Sequence, residues 1–265
     1  MRLEISHTTT YAYAAPMRYG LQRVRMCPET GPGQSVQSWS LILDGGVETA
    51  RFKDAFGNQC ILVETLPDQA ALSVTCEGVV ETENVGGVIG KTYGVVPIWV
   101  YLRSTELTTP GPALRKLFRS FKMSENPVDM LHAMSAYILA HVPYEVGRTF
   151  ARTPAEAACA LRGGVCQDHA QIMIAMAHLA GFPARYVSGY LMMEDRVDQD
   201  ASHAWAEIWV EDLGWVGFDV SNGISPDERY VRIAVGRDYR DAAPLQGVRW
   251  GTGEEKLQVA LQVQQ

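Results

Sequence analysis

The stretch Arg162-Gly163-Gly164-Val165-Cys166-Gln167-Asp168-His169-Ala170 decides how this chain is read. Two consecutive glycines permit a sharp turn. Behind them Ile172, Met173, Met176, Ala177 and Leu179 recur at the spacing of a helix, and Gly181 and Pro183 end it. Cys166 therefore falls at or near a helix N-terminus. There the free N–H groups and the positive end of the helix dipole favour a thiolate and can face the oxyanion of a tetrahedral intermediate.

A thiol nucleophile needs a base, and the base needs an orienting acceptor. His203 opens the apolar run His203-Ala204-Trp205-Ala206-Glu207-Ile208-Trp209-Val210, which reads as a strand. Glu211-Asp212-Leu213-Gly214 reads as a hairpin turn, and Trp215–Val220 as the returning strand. Antiparallel pairing brings the start of the first strand near the end of the second, so His203 and Asp219 share one end of the hairpin. A helix packed on that sheet presents Cys166 to them. With Ala184–Met192, three strands follow the helix.

Upstream, residues 1–105 are expected to form a β-rich, sandwich-like domain. Leu3–Tyr11, Trp39–Leu43 and Leu72–Val80 read as strands, and Phe52–Val63 as two strands joined at Gly57-Asn58. Residues 106–265 are expected to form the second domain, after the punctuation Thr109-Pro110-Gly111-Pro112. It opens with helices over 113–121 and 127–141. A third follows, with Thr153 as N-cap, Pro154 at the first position, Glu156 in the first turn and Gly163-Gly164 as its break. The fold class is α+β.

The 265 residues carry a formal net charge of −7 and no Lys/Arg-rich run, which argues against a nucleic-acid partner. No apolar run reaches the length of a membrane span, and the N-terminus lacks a signal-peptide core, so no membrane partner and a cytoplasmic location are expected. The five cysteines are widely spaced, with no CxxC or Cys/His ladder. Neither a disulfide framework nor a structural metal is expected, and no cofactor is implied.

Four ordered blocks resemble the transglutaminase-like superfamily. They are Gly164-Val165-Cys166-Gln167-Asp168-His169-Ala170, then Gly181-Phe182-Pro183-Ala184-Arg185-Tyr186-Val187-Ser188-Gly189-Tyr190, then His203-Ala204-Trp205-Ala206-Glu207, then Gly214-Trp215-Val216-Gly217-Phe218-Asp219. His7–Tyr11, Tyr19–Arg23, Asp54–Asn58, Ser221-Asn222-Gly223 and Val231–Tyr239 are similar to a bacterial group that carries a β region before this core. The resemblance implies a papain-like core, with the nucleophile helix on an antiparallel sheet, and the triad Cys166, His203 and Asp219. Members often have Pro after the aspartate, where this chain has Val220. It also implies acyl transfer through a thioester on a peptide, protein or carboxamide substrate. Hydrolysis is the first expectation, transamidation to an amine the second, and a non-catalytic binding module the third.

Other residues compete for these roles. His169 is a rival base of limited reach, being on the same helix as Cys166. His178 reads as a favourable partial charge at the helix C-terminus, and His7, His132 and His141 as structural. Cys159 reads as core rather than as a resolving thiol. Trp205 is a candidate lining for the acyl site and Tyr144 a candidate oxyanion donor. Glu194–Asp200 reads as a solvated acidic flap, since its spacing does not match a calcium loop.

Overall fold

The computed structural model describes residues 1–14, 19–91, 95–199, 201–250 and 255–265. In chain order the strands of the first half are β1 (Arg2–Tyr13), β2 (Tyr19–Val24), β3 (Gln34–Asp44), β4 (Gly46–Lys53), β5 (Gln59–Thr65), β6 (Ala71–Thr82) and β7 (Val88–Gly90). Four helices follow: α1 (Pro112–Ser120), α2 (Pro127–His141), α3 (Ala155–Leu161) and α4 (Cys166–Leu179). Then come β8 (Ala184–Leu191), β9 (Asp198–Gln199), β10 (His203–Val210), β11 (Gly214–Phe218), β12 (Tyr230–Gly236), α5 (Tyr239–Ala242), β13 (Leu245–Trp250) and β14 (Glu255–Gln264).

The strands make three sheets, ordered β3-β6-β1-β14-β9, β13-β2-β5-β4 and β12-β8-β10-β11-β7. The first two form the sandwich, closed over Tyr13, Val24, Ile61, Val63, Leu72 and Val74. The third is the core sheet, against which α4 packs. Residues 172–177 of α4 are fully buried, as expected of a helix that is apolar on every side.

A break near residue 105 does not divide the molecule. β14 pairs with β1 and β13 with β2, so the last strands of the chain complete both sandwich sheets. Conversely, β7 from the first half pairs with β11 of the core sheet. Adjacent pairing partners are recruited across the whole sequence, and the two units interleave.

β1 ties them together. Its odd-numbered residues are all buried or half-buried, as strand alternation requires. Leu3 and Ile5 pack into the core around α4, and Tyr13 into the sandwich core. On the other face Thr8 and Thr10 make hydroxyl pairs with Thr75 and Ser73 of β6.

Two amides dock the sandwich on the core sheet. β12 is an edge strand of that sheet. The Gln34 amide bonds the N–H and C=O of Arg232 at 2.8 and 2.9 Å. Asn58 does the same at Val235, at 2.8 and 2.7 Å. The side chains thus satisfy edge-strand groups as a neighbouring strand would.

Helix ends differ from expectation. Pro154 is the N-cap of α3, because the Thr153 hydroxyl already accepts from the Phe150 N–H at 2.9 Å. Glu156 serves another helix: its carboxylate accepts from the N–H groups of Gly111, Ala113 and Leu114 at the start of α1. The 194–200 segment is not wholly a solvated flap. Asp195 and Arg196 are exposed and paired, but Asp198 and Gln199 pair with β14. Asp200 lies outside the described residues.

Candidate active site

Cys166 is the first residue of α4, behind Val165 as N-cap in extended conformation. The turn into it is built differently from the sequence expectation. The left-handed residue that ends α3 is Arg162 (φ 53°), not a glycine. Gly163 and Gly164 are needed for close approach. A Cβ at 163 would lie 2.6 Å from Glu145 Oε2, and one at 164 would lie 2.7 Å from Asp168 Oδ2. Asp168 Oδ2 accepts from the Val165 N–H at 2.8 Å and from Thr149 Oγ1 at 2.6 Å, which pins the helix start. Burial pushes the Asp168 carboxyl pKa up.

His203 opens β10, and Asp219 follows β11 directly. Antiparallel register with Ala206 opposite Phe218 puts both at the same hairpin end. His203 Nε2 lies 2.6 Å from Asp219 Oδ2. The same oxygen accepts from Tyr230 OH at 2.8 Å and Asn222 Nδ2 at 2.7 Å. Asp219 is fully buried. Burial alone would raise its pKa, but hydrogen bonds from His203, Asn222 and Tyr230 and the charge of His203 hold it below the usual carboxylate value. Burial would lower the His203 pKa. The hydrogen bond to Asp219, and the interactions with Asp219 and Cys166 nearby, outweigh it and push it up to about 10. The structure thus pairs His203 with Asp219 and sets Cys166 and His203 on the wall of one cavity.

Cys166, His203 and Gln167 line a cavity of about 230 Å³. Trp205 does not line it. It lies behind His203, ring centroids 6.3 Å apart, and edge-on to Tyr230 at 5.4 Å. Tyr144 is half exposed and forms a β-bridge to Gly164, so its backbone rather than its hydroxyl supports the turn.

The rivals have other partners. His169 Nε2 faces the Val142 carbonyl at 2.7 Å, and Nδ1 the Ser221 hydroxyl at 2.8 Å. Both ring nitrogens are therefore committed, and burial lowers the pKa. His178 is half-buried, with Nε2 facing the Tyr101 carbonyl at 2.7 Å, and desolvation lowers its pKa, which disfavours the charge expected at the helix end. Cys159 is buried on α3, and burial raises it to about 11. All five cysteines are free. Among the described residues no cluster of three or more His, Cys, Asp or Glu could hold a metal, and no helix is long and apolar enough to cross a membrane.

Residues 115–220 match the model of the transglutaminase-like superfamily, and residues 3–81 that of the bacterial transglutaminase-like N-terminal region. The chain belongs to the transglutaminase-like superfamily. An uncharacterised protein of Mycobacterium leprae is 26% identical over 280 residues, covering 99% of this chain and 98% of that protein. A protein-glutamine gamma-glutamyltransferase of Pseudomonas aeruginosa is 33% identical over 100 residues, covering 34% of this chain and 15% of that enzyme. The crystal structure of a putative cysteine protease from Cytophaga hutchinsonii superimposes with a TM-score of 0.78. It is 22% identical and covers 99% of this chain and 90% of that one. That likeness shows the shared fold.

Sequence reasoning gave Tyr230 no role, and Asn222 appeared only within a block of resemblance. Asn222 stands at a turn spacing from Asp219, but Tyr230, eleven residues on, stands at none that a local pattern would flag. Tyr230 reaches it because β12 crosses back to pair with β8.

Proposed function

We propose that the protein is a cysteine-dependent acyl-transfer enzyme that hydrolyses a peptide, isopeptide or carboxamide bond through a thioester on Cys166. The pairing of His203 with Asp219, beside a cavity that both Cys166 and His203 line, supports this reading. With Nε2 facing the Asp219 carboxylate, the remaining ring nitrogen, Nδ1, is the one left to serve Cys166. Asp219 fixes that tautomer and stabilises the imidazolium.

In the first half-reaction Cys166 Sγ attacks the carbonyl carbon while its proton resides on His203. The first-turn N–H groups of α4 point the positive end of the helix at the developing oxyanion. Collapse breaks the C–N bond, and His203 gives its proton to the departing amine. In the second half-reaction a water loses a proton to His203 and attacks the thioester. The carboxylic acid leaves and the thiol is regenerated.

Alkylation by iodoacetamide across pH tests the nucleophile. Cys166 is expected to react faster than a free thiol in a His203-dependent way, and Cys166→Ala to abolish hydrolysis. Hydrolysis surviving in Cys166→Ala would overturn the assignment. The likeness of 100 residues of the chain to a glutamyltransferase supports a second outcome, in which an amine resolves the thioester. Incorporation of a labelled primary amine into a glutamine donor during turnover would establish it. A binding module without activity would need neither the ordered His203–Asp219 pair nor a thiol beside it.

A further inference from the structure

The cavity at Cys166 has a wall that the core does not supply. His7, Thr9 and Tyr11 of β1 line it, and so do Leu257 and Val259 of β14. The register pairs Thr9 with Val259 and Tyr11 with Leu257, so these side chains project from one face of two hydrogen-bonded strands. β14 lies outside both ranges matched by the family models. Leu245 and Tyr239 close another side.

No Asp, Glu, Lys or Arg occurs among the described residues lining the cavity. The polar groups deepest in it have partners within the protein. His7 bonds Tyr190 OH at 2.8 Å and Thr9 Oγ1 at 3.1 Å, and Ser188 Oγ donates to the Ala242 carbonyl at 2.6 Å. Burial holds the His7 pKa down at about 4, so this wall is uncharged at neutral pH. Leu257 is 55% exposed, an apolar side chain left at the cavity rim.

We propose that β1 and β14 form the acyl-side specificity pocket, which seats an uncharged, mainly apolar side chain on the substrate residue that carries the attacked carbonyl. The inference rests on the reading of Cys166 as the acylated residue. A volume of about 230 Å³ is on the scale of one large aliphatic or aromatic side chain. An acidic or basic side chain entering here would lose its water and meet no unpaired charge among the described lining residues, since His203 is already paired with Asp219. The N-terminal unit therefore selects the substrate as well as bracing the core.

The test uses the intact protein and a series of short peptides ending in a chloromethyl ketone, with Phe, Leu, Glu or Lys beside the electrophile. The rate of Cys166 alkylation is followed by mass spectrometry. Phe and Leu probes are expected to react at least about tenfold faster than Glu and Lys probes. Leu257→Lys is expected to slow the Phe probe and speed the Glu probe relative to the iodoacetamide rate of the same variant. Equal rates across the wild-type series would overturn the pocket while leaving His203-dependent iodoacetamide labelling intact. So would a Leu257→Lys protein with the wild-type preference. Loss of that His203 dependence would instead overturn the acyl-transfer reading, and the pocket with it.

Discussion

Asp219 Oδ2 receives donors from three side chains that come from β10, the turn after β11 and β12. The carboxylate is thereby fixed in position and kept ionised although it is fully buried. Asp219→Asn would leave an amide that cannot hold the His203 tautomer in the same way, and turnover is expected to fall roughly 10³- to 10⁴-fold in steady-state assays. Tyr230→Phe removes one hydrogen bond to a charged acceptor, worth about 1.5 kcal/mol. The Asp219 titration, followed by carboxyl-carbon NMR, should move up by about one pH unit. A titration that stays put would mean that Tyr230 is packing rather than a positioning residue.

Among the elements, the start of α4 and the β10–β11 hairpin were readable because their information is local. Helix spacing, terminating Gly181 and Pro183 and one tight turn all lie within a few residues of the groups they place. The purpose of Gly163 and Gly164 was not readable, since Glu145 and Asp168 crowd them only in three dimensions. Gly164→Ala is expected to push the Asp168 side chain off the helix start and cost about 1–3 kcal/mol in denaturant unfolding, with loss of turnover. Glu207 is a second case. It faces Arg185 directly across β8–β10, with Nε at 2.7 Å, and Arg232 reaches its other oxygen at 3.4 Å. The Arg185 guanidinium also stacks on Trp215, 4.1 Å from the ring centroid. Glu207→Ala would strand two arginines in or near the core sheet, and unfolding should become easier by about 3–5 kcal/mol.

For the molecule as a whole, the α+β class and the sandwich were legible in strand alternation and helix spacing. The interleaving of the two units was not. Pairing of β14 with β1 and the amide clamps on β12 join residues about 180 to 260 apart, and no local pattern announces such partners. Whole-molecule stability should also depend on pH through buried imidazoles. His7 is held neutral with its pKa lowered from 6.5 to about 4, and burial lowers His169 and His178 as well. The unfolded chain binds these protons first, so stability is complete above about 6.5 and is lost as pH falls toward 4, by about 3 kcal/mol for His7. His203 acts in the opposite direction. Its raised pKa gives stability that is complete below about 6.5 and lost as pH rises through about 10. Urea midpoints should therefore peak near pH 6.5, and His7→Gln should flatten the acid side.

The pairing of β1 with β14 also sets a timetable. Glu4 is opposite Gln264 and Tyr11 opposite Leu257, partners about 250 residues apart in the order of synthesis. During translation residues 166, 203 and 219 emerge well before the strand that closes the cavity beside them. Until that strand arrives, one edge of β1 lies open and the binding wall is half built. On the proposed reading, a growing chain thus holds Cys166 without the pocket that directs substrate to it, and selectivity comes only with β14.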